Sequence, residues 1–131
     1  MNETLTPAEW IVMHALWEKS PMTLSETIAQ IGDRANWNYK TFSAYMAILE
    51  KKGFLSADKR GRDKFYYPIV TKQECIDRES RSVVNKIEAG SVKLMVTSMV
   101  RAGNLPAEER RELLSMLEKM LNEEARDERD R

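Results

Sequence analysis

The chain has 131 residues with 21 basic and 21 acidic side chains, so its formal net charge is zero. Its single cysteine and single histidine exclude an intrachain disulfide and a cysteine cluster for zinc or copper, and the sequence contains no catalytic motif. We therefore expect no enzyme activity, no metal and no cofactor. No apolar run approaches the roughly 20 residues of a membrane-spanning helix, and Met1–Thr4 lacks a signal-peptide pattern. These features predict no membrane insertion and a cytoplasmic location.

Three helix signals open the chain. Thr6-Pro7-Ala8-Glu9 is a capping box that predicts the start of one helix, and Thr23-Leu24-Ser25-Glu26 repeats it before a second, shorter one. Asn38 is predicted to be the N-cap of a third helix, with Trp37 and Phe42 at the two positions of a hydrophobic staple. Apolar residues recur at helical spacing in all three segments, which predicts one buried face on each helix.

A two-stranded hairpin is predicted next, because the hydrophobic period changes to that of a strand. Phe54–Arg60 and Lys64–Val70 are the two strands, Gly61 is the turn, and Pro68 predicts that the second strand lies at an edge. Three short helices followed by a hairpin with a basic tip are typical of a winged helix-turn-helix domain. We assign this domain to residues 1–70.

The second half is predicted to contain three more helices with narrow apolar faces, so the chain is mainly α. The first opens at Thr71–Glu74 and runs to about Ala89, and the last begins at Pro106. Such faces cannot enclose a core in about 55 residues. Residues 71–121 are therefore predicted to be a dimerisation module, and residues 122–131 a frayed, charged tail. The predicted dimerisation residues are Ile76, Val83, Ile87, Val92, Met95, Met99, Leu113, Leu117 and Met120.

Basic charge is concentrated on the third helix and the hairpin. Residues 40–64 contain seven basic and three acidic side chains, although the whole chain is neutral. This pattern is typical of a protein that binds double-stranded DNA, since each neutralised phosphate releases counterions. Small residues on the outward side of the third helix allow it to enter a major groove. The predicted DNA-binding residues are Asn38, Tyr39, Lys40, Thr41, Ser43, Ala44, Lys51, Lys52, Arg60 and Arg62.

These residues are expected to play different roles. Lys40 can donate to guanine, and Thr41 can hydrogen-bond a base edge or touch a thymine methyl group. Asn38 has two interpretations, a helix cap alone or a cap that also contacts DNA. The remaining basic residues suit phosphates, and Arg62 also suits a minor groove. The alternative for the whole set is a solvated basic face without a ligand.

Several segments spread over nearly the whole chain form a recognisable set: Leu5–Trp10, Val12-Met13, Leu16-Trp17, Trp37, Lys40-Thr41, Leu49, Lys51–Phe54, Tyr67-Pro68, Glu79–Arg81 and Leu105–Leu114. Together they resemble the penicillinase-repressor family of the BlaI and MecI type. The resemblance implies a homodimeric winged-helix repressor that binds an inverted-repeat operator and controls β-lactamase or other resistance and stress genes.

The resemblance also implies a further partner, a membrane-bound sensor protease that cleaves within the dimerisation region. The bond that aligns with the family's Asn-Phe cleavage site is Ser98-Met99. Ser43 stands where family members often carry Arg or Gln, and Ile48 stands where they often carry Arg. The cysteine pair of the copper-responsive branch is absent, which excludes copper sensing through that motif.

Two other functions remain compatible with the sequence. One is a winged-helix module whose basic face contacts an acidic protein, and the other is a regulator gated by a small molecule bound between the two halves. Binding that falls steeply with salt and discriminates a palindrome from scrambled duplex favours the DNA-binding function over the first alternative. No cluster of polar residues in the sequence supports the second.

Overall fold

The computed structural model describes residues 4–130, and the signal-peptide expectation at Met1–Glu3 and the last position of the predicted tail, Arg131, lie outside the described residues. The chain forms two compact units, Met1–Lys86 and Ile87–Arg131. The sequence predicts a boundary at residues 70 and 71 instead. The difference arises because the helix after the hairpin packs on the first unit, where the side chain of Cys75 is buried in the core.

Three helices begin the first unit, as predicted. They are α1, Pro7–Glu18, α2, Leu24–Ile31, and α3, Tyr39–Lys52. Capping boxes at Thr6 and Thr23 start α1 and α2, because each threonine hydroxyl accepts the backbone N–H of the glutamate three residues later and that glutamate accepts the threonine N–H. These local bonds use backbone donors that a helix start otherwise leaves unpaired.

The start and the end of α3 also follow the sequence signals. The Oδ1 of Asn38 accepts the N–H of Thr41 at 2.9 Å, so Asn38 is the N-cap. The rings of Trp37 and Phe42 are 5.0 Å apart, which confirms the predicted staple. Gly53 ends the helix with a φ of +83°, a left-handed conformation that favours glycine.

The hairpin consists of β1, Leu55–Arg60, and β2, Asp63–Pro68, paired antiparallel. The predicted edge position of β2 is confirmed, because the sheet has two strands in the order β1-β2. Within residues 4–130, Tyr66 of β2 also forms an isolated bridge with Met22, in which the two residues exchange backbone hydrogen bonds of 2.8 and 3.0 Å. Pro68 is tolerated there because alternate residues of a strand direct their N–H groups to the same side. The N–H of Tyr66 faces away from β1, and Pro68 lies two residues later. The nitrogen of Pro68, which carries no hydrogen, therefore also faces away from β1.

The core of the first unit lies between the three helices, the hairpin and the helix that follows, α4, Lys72–Lys86. The inward faces predicted for α1 and α3 are confirmed. Trp17 is half-buried and donates its indole N–H to the carbonyl of Val70 at 3.0 Å, which ties the end of the hairpin to α1. The buried apolar residues are Leu5, Val12, Met13, Ala15, Leu16, Met22, Ile31, Phe42, Met46, Leu49, Phe54, Leu55 and Cys75.

The second unit contains α5, Val92–Ala102, and α6, Ala107–Arg129, after a short 3-10 turn at Ala89–Ser91. The prediction of a frayed tail at residues 122–131 is wrong as far as Arg129, because α6 continues without a break to that residue. Glutamate, alanine and arginine are strong helix formers, and oppositely charged residues three or four apart support a helix. Among the described residues, no helix is both long and apolar enough to cross a membrane.

Candidate nucleic-acid interface

The outward face of α3 forms the centre of the candidate interface. Phe42, Met46 and Leu49 are buried against the core, so the opposite side of the helix faces solvent. Four exposed residues lie on that side: Lys40, Ala44, Ala47 and Lys51. Their spacing of four, three and four positions keeps them in one stripe along the helix.

Two flanks border this stripe. On the hairpin side, Tyr39 and Ser43 line an open cleft of about 520 Å³ together with Arg62, Lys64 and the start of α2. Tyr39 is 62% exposed, so its hydroxyl is available to a ligand. The other flank carries Thr41, which is half-buried, and the exposed Ile48. The predicted DNA-binding residues of α3 before Lys52 therefore reach one surface.

Asn38 lies at the entry to this surface. Its side-chain oxygen is committed to the N–H of Thr41, and the residue is exposed. The cap interpretation is therefore confirmed. A DNA contact from the same side chain remains a prediction.

Lys52 is the exception among the predicted DNA-binding residues. Its Nζ lies 2.8 and 3.1 Å from the two carboxylate oxygens of Glu9, and the Glu9 side chain is only 3% exposed. This ion pair uses the charge of Lys52 inside the domain and does not favour the phosphate contact predicted for Lys52, which stays a prediction. The sequence contained a signal for this orientation: Lys52 follows Tyr45 by seven residues, which places it near the buried side of α3.

Glu9 is an unusual residue for a core, and its environment explains why it stays ionised. Burial raises the pKa of its carboxyl, but hydrogen bonds from Lys52 and from the backbone and side chain of Thr6 lower it by more. The net result is a pKa below the ordinary value for glutamate. One carboxylate therefore caps α1 and anchors the end of α3.

Two exposed arginines lie near the tip of the hairpin, and one of them, Arg62, lines the cleft that Tyr39 and Ser43 of α3 also line. Arg60 lies with its guanidinium 5.3 Å from the ring centre of Phe65 on the neighbouring strand, and Arg62 follows the turn at Gly61. Gly61 has a φ of +65°, which glycine adopts without strain. Both arginines remain exposed, as the predicted phosphate contacts require.

A second ion pair joins the hairpin to α3, and the sequence analysis missed it. Lys64 Nζ lies 2.9 Å from Glu50 Oε1 and 5.3 Å from the centre of the Tyr66 ring. The hydrogen bond to Glu50 raises the pKa of Lys64. No local pattern links residues 14 positions apart on different elements, so only the packing of hairpin against helix brings these two together.

The predicted dimerisation residues are distributed over both units. In the first unit, Ile76 is exposed and Val83 is partly buried on α4. In the second, Met99, Leu117 and Met120 are exposed, whereas the other predicted residues there, Ile87, Val92, Met95 and Leu113, are partly buried. Further large apolar side chains are also exposed: Val84, Leu94, Val96, Leu114, Met116 and Leu121.

The bond implied as a cleavage site lies within a regular helix. Ser98 and Met99 are both exposed on α5, and the helix extends on either side of them. A protease binds its substrate in an extended conformation, so cleavage there requires local opening of α5.

The described residues give little support for metal binding or for catalysis by the cysteine or the histidine. Within residues 4–130, no group of three or more histidine, cysteine, aspartate or glutamate side chains is arranged to hold a metal ion. Burial raises the pKa of the Cys75 thiol, which makes it a weak nucleophile. His14 lies between Trp10 and Trp17, with ring centres 5.5 and 5.7 Å away. Burial, followed by the charges of Lys72 and Arg34, lowers the pKa of His14.

The comparison with known proteins agrees with this geometry. The family model described as Penicillinase repressor matches residues 5–119. The penicillinase repressor of Bacillus licheniformis is 30% identical over 118 residues, which are 90% of this chain and 92% of that protein. The methicillin resistance regulatory protein MecI of Staphylococcus aureus (strain N315) is 29% identical over 115 residues, which are 88% of this chain and 94% of that protein.

Among solved structures, the Bacillus licheniformis BlaI monomer in complex with the blaP half-operator is 28% identical, covers 56% of this chain and 90% of that chain, and has a TM-score of 0.49. The family predicted from the sequence motifs is confirmed by the match over residues 5–119. The two relatives are named as a repressor and as a regulatory protein. The chain belongs to the penicillinase repressor family.

Proposed function

We propose that the chain is a transcriptional repressor that binds an inverted-repeat operator in double-stranded DNA as a homodimer. The observation that carries this proposal is the exposed stripe of α3 with the arginines of the hairpin beside it. The genes it represses are proposed to be resistance or stress genes of the β-lactamase type. This last step rests on membership of the penicillinase repressor family.

The dimensions of α3 suit a major groove. The groove is about 12 Å wide, and a helix with its side chains has a diameter of about 10–12 Å. Ala44 and Ala47 at the middle of the stripe let the backbone approach the base edges closely. Lys40, in the first turn, lies where recognition helices contact bases. Lys51 at the other end and Arg60 and Arg62 on the hairpin supply charge for phosphates.

The proposed dimer rests on apolar side chains that the monomer leaves uncovered. Met99 on α5 and Leu117 on α6 are about half exposed, at 53% and 48%. A stripe of this kind is costly in water, and a two-fold axis buries the same patch on both copies. Coupling two half-site contacts in one dimer raises affinity by about 10²–10⁴.

The proposed switch follows from the same coupling. Cleavage of Ser98-Met99 by a sensor protease separates α6 and the end of α5 from the rest of the chain. Each fragment with an intact first unit then binds a single half-site. The operator is released although α3 and the hairpin are unchanged.

The proposal is tested by footprinting the purified protein on the DNA upstream of its own gene, followed by binding titrations at several salt concentrations. We expect protection of two symmetric half-sites, and affinity for that duplex at least about 10³ times that for a scrambled one. Salt-dependent binding without any preference between the two duplexes would contradict the proposal. It would favour the alternative in which the basic face contacts an acidic protein.

A further inference from the structure

The stripe of α3 has an unusual composition for a surface that contacts DNA. Lysines stand at its two ends, but its middle carries no hydrogen-bonding side chain. Ala44 and Ala47 are exposed there, and Ile48, on the flank of the stripe next to Ala44, is 42% exposed. We name these three residues the apolar patch. It lies on the opposite side of α3 from the core residues Phe42 and Met46, so burial within the domain does not explain it.

The surroundings of the apolar patch favour a polyanion over an apolar protein surface. Lys40 precedes it, Lys51 follows it, and the exposed arginines of the hairpin lie on the same unit. A protein partner with an apolar face would leave these cations without countercharges. A DNA duplex satisfies both features, because it combines phosphates with base edges.

Only one group on the major-groove edge of a base pair is apolar, and that is the C5-methyl group of thymine. Alanine side chains contact it well, whereas they cannot hydrogen-bond a guanine, cytosine or adenine edge. Ala44 and Ala47 are separated by about 4.5 Å along the helix axis. This distance is comparable with the 3.4 Å step between base pairs, so the two alanines reach neighbouring base pairs.

We infer that the apolar patch reads thymine methyl groups at the centre of each half-site, and that this contact supplies sequence specificity there. The inference rests on the proposed function, because it requires α3 to lie in a major groove. Lys40 then reads the outer end of the half-site by hydrogen bonding. The contacts with methyl groups then contribute specificity at the centre.

The test replaces thymine by uracil, which lacks the methyl group and keeps the same hydrogen-bonding groups. Duplexes that bind the full-length protein are first selected from a random pool. The selected duplex is then synthesised with uracil at one position at a time. We expect at least one uracil in each half-site to lower affinity about fourfold, the effect of losing one buried methyl-sized group. Uracil in the flanking DNA is the control and leaves affinity unchanged.

Three variants assign the effect to the patch. Ala44→Gly, Ala47→Gly and Ile48→Ala each remove apolar atoms, and the ratio of thymine to uracil affinity is measured for each variant. We expect the ratio to approach one at the position that the removed side chain contacts. Because both duplexes are measured with the same protein, any general loss of helix stability cancels in this ratio.

The outcomes separate the inference from the function on which it rests. Selected duplexes whose half-sites lack thymine, or tolerate uracil throughout, overturn the inference and leave the repressor proposal intact. A uracil effect that all three variants retain also overturns it, since the methyl group is then read by another residue such as Thr41. A pool that yields no preferred sequence overturns both.

Discussion

Lys52 Nζ lies 2.8 Å from Glu9 Oε2, and this ion pair joins the last turn of α3 to the first turn of α1. The same carboxylate accepts the N–H of Thr6 at 2.8 Å. Helix α3 is therefore held at one end by a charged group that also caps a neighbouring helix. Lys51, the residue before it, is exposed on the outward stripe of α3. Two adjacent lysines therefore have different environments.

The first prediction concerns these two lysines. Lys52→Met leaves the buried carboxylate of Glu9 without its cation, and we expect the free energy of unfolding to fall by about 2–4 kcal/mol. Lys51→Met is the matched control and should change it by no more than about 0.5 kcal/mol. Urea unfolding of the two variants measures both values. Equal stability of the variants would contradict the structural role of Lys52.

The second prediction is a pH dependence with a defined sign. The folded pKa of Glu9 lies below its ordinary value of 4.5, because hydrogen bonds from Lys52 and Thr6 outweigh the effect of burial. A lowered pKa contributes stability above the unfolded value, and that contribution is lost as the pH falls through the folded pKa. The stability difference between the native chain and Lys52→Met should therefore be largest near pH 7 and shrink below about pH 4.5. Urea unfolding from pH 7 to pH 3 measures it, and a constant difference would disprove the assignment.

The third prediction separates base reading from phosphate binding. Lys40→Ala and Thr41→Ala should weaken operator binding by about 1–3 kcal/mol each and affect random DNA less. Arg60→Ala and Arg62→Ala should weaken both kinds of binding and make the salt dependence shallower, because each removes one phosphate contact. Titrations on operator and scrambled duplexes distinguish the two groups. An equal loss on both duplexes for Lys40 and Thr41 would mean that α3 does not read the sequence.

The fourth prediction tests the dimer. Val83→Asp and Met99→Asp each place a charge on an apolar face, and we expect both to shift the protein toward monomer in sedimentation. Thr97→Asp, an exposed polar position on α5, is the control and should leave the association unchanged. Circular dichroism shows whether each variant keeps its helices. Folded variants at 83 and 99 that both remain dimeric would rule out this interface.

The fifth prediction tests the consequence of cleavage. A chain that ends after Ser98 keeps the whole first unit, so residues 5–70 should remain folded. It lacks α6, and we expect its affinity for the operator to fall by about 10²-fold or more as the coupling of half-sites is lost. Mobility-shift titration measures this loss. Full-length affinity in the truncated chain would show that dimer coupling does not control binding.

The sequence by itself determined the features that depend on neighbours within a few residues. The capping bonds of Thr6 and Asn38 connect residues three apart, and the turn at Gly61 depends on the backbone freedom of one residue. Helical spacing of apolar residues likewise identified the buried face of α3 and, by elimination, its exposed stripe. These signals act over one or two turns of helix, and so a linear sequence contains them completely.

Only the tertiary structure decided which distant groups meet. Lys52 and Glu9 are 43 residues apart, and the choice between a phosphate contact and an internal ion pair depends on how α1 packs against α3. The Tyr66 bridge to Met22 adds a pairing that local patterns do not predict, and the burial of Cys75 extends the first unit beyond residue 70. In each case the deciding energy is the burial of a charge, a backbone group or an apolar side chain. Burial is a property of the packed chain, and no stretch of neighbouring residues specifies it.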